Sequence, residues 1–336
     1  MKIKFKYKII LSIMLILFLR FYIYIHNINR INNHIQKKCN YIPIAFSVDN
    51  KYLYPLIVLL TSILINANPS TFYLFYIMIP YNFYINNMRK IIDLSNKFQN
   101  CKIKFYNLGK KYLNWKVEGN YTQTVYFRLA LPDLIKKLDK IIYLDCDTMV
   151  HKDLTDLYQI NMGGNYYLGF PGHEVSYLVI NGTRNFINTG VMLINLKLLR
   201  EIKAPILLEK YYKNYGTKKV DEYLINIVFY NKISFLPFKY GIPDFEEGNH
   251  KIGSPSIFWH NLNGSIINKT ENYLKLSSIN RCITHQAYIK NKWWNRDYES
   301  LSEIGKKWII YASKSNVFKE ICKNYIQYKN ICKKLK

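Results

Sequence analysis

The sequence predicts an α/β domain built on a central, largely parallel sheet flanked by helices and preceded by an apolar N-terminal segment. Three observations carry this. Short apolar runs of strand length alternate with longer segments of helical period. One of those strands ends in two closely spaced carboxylates, the place where open α/β sheets bind ligands. The chain of 336 residues is 49% hydrophobic with only 14 Gly and 10 Pro, which excludes collagenous and disordered chains.

The elements follow in order. Lys2, Lys4, Lys6 and Lys8 precede Ile9–Ile25, a seventeen-residue run that is apolar except for Ser12 and Arg20. That length is at the lower limit for a bilayer span, and no small-x-small cleavage site follows, so an uncleaved signal anchor over residues 1–25 is expected. A removed signal peptide and a buried or interfacial helix are the alternatives. A central Arg costs about 2.5 to 3.5 kcal/mol on insertion scales, but Arg20 is near one end, from which it can snorkel to the interface. The four lysines favour an inside N-terminus, whereas Arg30, Lys37 and Lys38 on the other flank weigh against it.

Residues 26–40 are polar and Asn-rich, a short stem. The domain begins at Tyr41 and runs to residue 295. IPIAFSV, residues 42–48, reads as a strand, residues 52–65 as a helix, residues 71–79 (TFYLFYIMI) as a strand, residues 86–98 as a helix and residues 102–107 as a strand. From residue 296 to 336 the chain is a basic helical tail with Trp308, Ile309, Ile321, Ile326 and Ile331 among lysines. This pattern suits either a solvated terminal helix or a helix on a membrane surface.

Charge excludes less than its size suggests. The chain carries 48 Lys+Arg against 22 Asp+Glu, a net charge of +26. The basic residues are spread from Lys2 to Lys336 without a compact block. Lys, Ile, Asn, Tyr and Phe dominate together, as AT-rich codons produce. The excess therefore reads as compositional background and specifies no nucleic-acid partner. The six cysteines, at 39, 101, 146, 282, 322 and 332, form no C-x-x-C pair, so zinc-finger and thioredoxin-like chemistry is excluded on spacing. Their oxidation state is left open.

The chemistry is concentrated at KIIYL, residues 140–144, followed by Asp145, Cys146, Asp147 and Thr148. Strand side chains alternate, so both carboxylates can leave the same face at the strand's C-terminal edge. Two hard oxygen ligands suit Mg²⁺ or Mn²⁺, and such a cation suits a diphosphate. Solvated turn carboxylates give the same spacing.

Five ordered segments resolve that choice: IPIAFSVDNKY at the domain start, YFRLALPDL (126–134), DKIIYLDCDTMVHKDLTDLY (139–158), FINTGVMLINL (186–196) and DEYLIN (221–226). Together they resemble the family 8 glycosyltransferases, which include lipopolysaccharide galactosyl- and glucosyltransferases and glycogenin, over roughly residues 41 to 294. The resemblance implies a GT-A fold, a Rossmann-like central mixed sheet flanked by helices. It also implies a UDP-sugar donor, a glycan or glycolipid acceptor, Mn²⁺ (or Mg²⁺) and retention of anomeric configuration.

By that resemblance Asp145, Asp147 and His285 are the metal ligands, and an imidazole among them favours Mn²⁺. Lys292 falls where the family places a lysine on the diphosphate. Asp49 matches the acid at the uracil and ribose end, Arg128 the arginine that touches nucleotide and sugar, and Asn188 a residue on the sugar hydroxyls. Asp221 and Glu222 match the catalytic segment. There the family commonly has Asp-Gln-Asp, so this chain replaces an amide with Glu222 and an acid with Tyr223. Glu222 would act as nucleophile or charge stabiliser. Two acids opening an apolar helix also complement its dipole without catalysis.

Two further departures stand out. Ten residues run from His285 to Trp294 in HQAYIKNKWW, without the Gly and Pro of the family's His-x-x-Gly-x-x-Lys-Pro-Trp. GFPGHE (169–174) lacks an acid often found there, leaving His173 and Glu174 as acceptor contacts. The expected function is a metal-dependent hexosyltransferase using UDP-glucose or UDP-galactose and attached to the membrane through residues 9–25. A non-catalytic UDP-sugar binder and a basic binder of anionic surfaces are the alternatives. Location follows topology: a Golgi lumen (type II) for a eukaryotic chain, the cytoplasmic face of the inner membrane for a bacterial one. Sequons at Asn120, Asn181, Asn263 and Asn268 do not decide between them, since about three arise by chance in so Asn-rich a chain.

Overall fold

The computed structural model describes residues 40–117, 119, 121–171, 186–216, 220–237, 239–243, 280–286 and 292–335. The chain divides into two units, Met1–Asn40 and Tyr41–Lys336. The expected anchor (1–25) and nearly all of the stem (26–40) lie outside the described residues, as do His173, Glu174 and all four sequon asparagines. Among the described residues no helix is long and apolar enough to cross a membrane.

The first half of the main sheet alternates strands and helices. β1 (Asn40–Ser47) is followed by a 3-10 turn that Asp49 caps, accepting from the N–H groups of Lys51 (2.9 Å) and Tyr52 (3.1 Å). That turn opens α1 (Leu53–Ile65), which is buried along most of its length and therefore apolar all round. β2 (Thr71–Ile79), α2 (Ile85–Lys97) and β3 (Cys101–Asn107) follow, with β2 and β3 paired in parallel. After a 3-10 stretch at Gln123–Ala130 and the short α3 (Leu131–Leu134) comes β4 (Lys140–Leu144), parallel to β1 through Ile44 with Ile142 and Ala45 with Tyr143.

The remaining strands make the sheet mixed. β5 (Thr148–Val150), β6 (Tyr167–Pro171), β7 (Ile187–Asn195), β8 (Ile233–Phe235), β9 (Tyr240–Pro243) and β10 (Ile283–His285) complete the set, with the short α4 (Thr155–Gln159) between β5 and β6. The seven-stranded order is β3-β2-β1-β4-β7-β6-β8, with β7 antiparallel to both β4 and β6. The C-terminal ends of β1 and β4 and the N-terminal end of β7 therefore meet at one edge. A second sheet, β5-β10-β9, pairs His285 with Thr148 and thereby lays β10 beside the turn after β4.

Strand alternation divides the core in two. Ile44, Phe46, Ile142 and Leu144 pack on one face with α1, while Ala45, Ile141 and Tyr143 pack on the other with the Gln123–Ala130 stretch. The latter face is covered by α5 (Leu196–Glu201), α6 (Ala204–Tyr215) and α7 (Val220–Val228).

The basic tail is not a solvated helix. α8 (Glu303–Ser313), α9 (Phe318–Asn324) and α10 (Lys329–Lys334) belong to the same core as α1, with Trp308, Ile309, Ala312, Ile321 and Tyr328 buried. The apolar positions turn inward while most of the lysines stay at the surface, so composition alone hides the packing. A disulfide joins Cys322 to Cys332, and Cys101, Cys146 and Cys282 are free and buried. Glu320 accepts from the Tyr54 hydroxyl at 3.0 Å and pairs with Lys90, tying α9 to α1 and α2.

Candidate active site

The turn after β4 is built to present two acids. Asp145 donates its N–H to the Gly190 carbonyl (2.8 Å), and Thr148 closes the turn on the Asp145 carbonyl through its N–H (3.2 Å) and hydroxyl (2.8 Å). Cys146 points inward and its thiol donates to the Ser47 carbonyl. Asp145 and Asp147 are left on the side of His285, and one ligand atom from each of the three lies within 4.8 Å of the others.

Whether these residues fit a divalent cation is decided by donor type and space. Two carboxylate oxygens and one imidazole nitrogen suit Mn²⁺. Gly190 keeps the place open: a Cβ there would fall 2.1 Å from His285 Cε1, 2.6 Å from Nε2 and 2.8 Å from Asp145 Oδ2. The residues present fit a cation.

Lys292 and His285 share Asp147. Lys292 Nζ is 2.6 Å from Oδ2 and His285 Nε2 is 3.2 Å from Oδ1. Burial by itself would raise the pKa of Asp147, but these two neighbours more than offset it and hold the carboxyl well below the usual range.

Arg128 organises the other side. It is 4% exposed and lies over the Tyr143 ring, with Nη2 2.8 Å from Asp145 Oδ1 and Nε 3.1 Å from Asp221 Oδ2. Its Nη1 donates to the Thr189 carbonyl at 2.6 Å. Asp221 is buried and accepts from the Thr189 hydroxyl at 2.9 Å. Burial, with Asp145 adding, pushes its carboxyl up to about 6 against the opposing pull of Arg128 and Thr189. Glu222 accepts from Asn188 Nδ2 at 2.9 Å and from the Thr189 N–H at 3.4 Å. Asn226, one turn on, holds both the N–H and the carbonyl of Ile187 at 2.8 Å, fixing α7 against the start of β7.

Eight of the nine residues expected from sequence thus fall into two linked clusters. Arg128, Asp145, Asn188, Asp221 and Glu222 form one; Asp145, Asp147, His285 and Lys292 form the other, and Asp145 belongs to both. Asp49 stands apart. Its second oxygen accepts from the Thr122 hydroxyl at 3.1 Å, and it lines a cavity of about 400 Å³ with Lys51, Tyr81, Tyr84, Lys110 and Phe127.

Several site residues carry no signal of their own in the sequence. Tyr52 lies within the electrostatic reach of both Asp49 and the turn after β4, its phenol raised first by burial and then by Asp147, Cys146, Asp49 and Asp145. Although 57% of Tyr121 is exposed, crowding around its phenol and then the charges of Asp145, Glu222, Asp147 and Asp221 push it up to about 12. Tyr52, Thr189, Gly190 and Asn226 lie within the five motif segments, so adjacency to the assigned residues is their one clue.

A mixed α/β sheet carrying Asp-x-Asp at the end of a central strand, with a histidine brought beside it, defines a GT-A-like glycosyltransferase fold. The chain belongs to glycosyl transferase family 8, whose profile matches residues 43–243. It is 29% identical over 215 residues to glycosyltransferase GlyB of Streptococcus pneumoniae, covering 62% of this chain and 51% of the relative. It is 24% identical over 298 residues to glycosyltransferase GlyE of the same organism, covering 84% and 68%. The chain thus spans about half the length of GlyB. Among solved structures, galactosyltransferase LgtC in complex with donor and acceptor sugar analogs superposes with a TM-score of 0.64 at 20% identity, covering 82% of this chain and 96% of that one. That likeness is one of fold.

Proposed function

We propose that the chain is a metal-dependent, retaining hexosyltransferase that moves a hexose from UDP-glucose or UDP-galactose to a glycan or glycolipid acceptor. The observation that carries this is the convergence of Asp145, Asp147 and His285 within 4.8 Å beside Gly190, with Lys292 on the same acid. Asp145, Asp147 and His285 would hold Mn²⁺ (or Mg²⁺), which when bound supplies positive charge to a diphosphate.

The protein's own groups divide the remaining work. Lys292 places a point charge beside the departing UDP. Asp49 and the cavity it lines take the uracil and ribose end. Arg128 braces Asp145 and Asp221 in one arrangement, and Asp221 and Asn188 accept from and donate to sugar hydroxyls. Glu222 faces the anomeric carbon as nucleophile or as a stabiliser of oxocarbenium character, and Asn188 and the Thr189 N–H fix its carboxylate there. The acceptor hydroxyl adds to the same face that UDP leaves, which retains configuration.

Residues 41–295 form the transferase domain in this reading, residues 296–336 its C-terminal segment, residues 26–40 a stem and residues 1–25 a membrane anchor. The donor is identified by measuring UDP release from each common UDP-sugar with and without Mn²⁺. Release from a UDP-hexose that requires Mn²⁺ supports the reading, and no release from any donor and acceptor pair overturns it.

A further inference from the structure

We propose that Gln286 is a positioning residue for Lys292, and that the disulfide-closed C-terminal segment completes the clamp. The inference rests on the reading of Lys292 as the diphosphate lysine. Gln286 follows His285 at the end of β10 and is 0% exposed. Its N–H donates to the Asp147 carbonyl at 3.0 Å, its carbonyl accepts from the Lys292 ammonium, and its side-chain Oε1 accepts from the Trp293 N–H at 2.8 Å. One residue therefore joins the turn that carries Asp147, the lysine, and the backbone immediately after that lysine.

The sequence explains why such a residue is needed. Where the resembling family places Pro after the lysine, this chain has Trp293. The backbone of Lys292, with φ −64° and ψ 157°, nevertheless has the extended conformation that precedes a proline. Proline would bring no N–H into this buried place, whereas Trp293, itself 0% exposed, does. The Gln286 amide oxygen supplies that group with an acceptor.

The other side of the segment is gripped by the tail. The Tyr328 hydroxyl donates to the Trp293 carbonyl and Gln327 Nε2 to the Trp294 carbonyl. Both residues lie within the loop closed by Cys322 and Cys332. The Trp293 ring meets Gly305 of α8, where a Cβ would come within 3.0 Å of Cδ1. Lys292 thus owes its place to contacts made before and after it.

The test is calorimetric titration of the full chain with UDP and with uridine in Mn²⁺, for wild type, Gln286→Met, Lys292→Ala, the double variant and Tyr328→Phe. Methionine keeps the shape of Gln286 and removes the acceptor. Gln286→Met removes the Trp293 contact and so displaces Lys292, and it is expected to weaken UDP roughly tenfold, as for loss of the one charge-assisted contact Lys292 would make to the diphosphate, with uridine unchanged. The double variant should bind UDP no more weakly than Lys292→Ala, and Tyr328→Phe should show a smaller loss specific to UDP. Wild-type UDP affinity in Gln286→Met while Lys292→Ala is weakened overturns the positioning role. So does an equal loss for uridine, or a double variant weaker than Lys292→Ala. Lys292→Ala binding UDP like wild type overturns the reading of Lys292 itself, and the inference with it.

Discussion

Gly190→Ala isolates the metal site with one methyl group. The added Cβ would lie 2.1 Å from His285 Cε1 and 2.8 Å from Asp145 Oδ2. Reaching the shortest ordinary carbon contact, about 3.4 Å, requires the imidazole to retreat by about 1.3 Å. Coordination tolerates deviations of only about 0.2 Å, so a displaced imidazole ceases to be a ligand. The ring cannot swing freely, since His285 is 5% exposed and sits in β10 paired to Thr148. Overpacking of this kind costs roughly 1 to 3 kcal/mol, which lowers the melting temperature without unfolding the chain. Mn²⁺ affinity should fall by about 100-fold or more, since losing a residue that merely orients a ligand already costs about 10- to 100-fold. Titration of Mn²⁺ by calorimetry, with thermal melts alongside, measures both. A folded Gly190→Ala protein that binds Mn²⁺ as wild type does would refute the placement of the cation between Asp145 and His285.

Three further outcomes are expected. Trp308→Ala should cost about 3 to 5 kcal/mol in urea unfolding, because the tail is part of the core; a change below about 1 kcal/mol would mean the tail is dispensable. Burial, reinforced by Lys307 and Arg281, lowers the His151 pKa to about 3, so the folded chain keeps it neutral while the unfolded chain protonates it near 6.5. The cost of holding it neutral is therefore absent above pH 6.5 and grows by about 1.4 kcal/mol per pH unit on acidification toward 3, a slope that His151→Gln should remove from the stability profile. Asp221, pushed up to about 6, is ionised above that pH and pairs with Arg128 as a charged carboxylate only then. Turnover should decline below pH 6, and an identical acid limb in Asp221→Asn would assign that limb to another group.

Where the chain's chemistry is written in continuous motifs, it was legible. β2 and β4 are strands over the residues their apolar runs indicated, 71–79 and 140–144, because each is long enough or sharply enough bounded for periodicity to act. β1 and β3 begin a residue or two early for lack of a boundary signal. Strand direction is another matter. Nothing in FINTGVMLINL says that β7 runs antiparallel to β4: strand–helix alternation alone points to a largely parallel sheet, and the mixed sheet that forms is expected only from the family resemblance.

The second sheet was illegible because β5 and β10 have three residues each and β9 four, too short for a period. Its register is nonetheless what delivers His285. The tail misled for a different reason: Lys-rich composition dominates its appearance, while Trp308 and Ile321 decide its packing. The Cys322–Cys332 pair, ten residues apart, matches no motif. Gln286 acts through three separate contacts that only the fold brings together. The loss of the family's proline was visible in sequence, and what compensates for it was not.

The most direct measurement is Mn²⁺-dependent UDP release from UDP-glucose and UDP-galactose by the full chain, compared with Asp145→Asn and Asp147→Asn. Each substitution removes a charged ligand atom from a cluster of three, so release should fall by about 100-fold or more in both and vanish with chelator. Release that persists at the wild-type rate in both variants, with chelator present, would show that the three residues hold no cation the reaction needs.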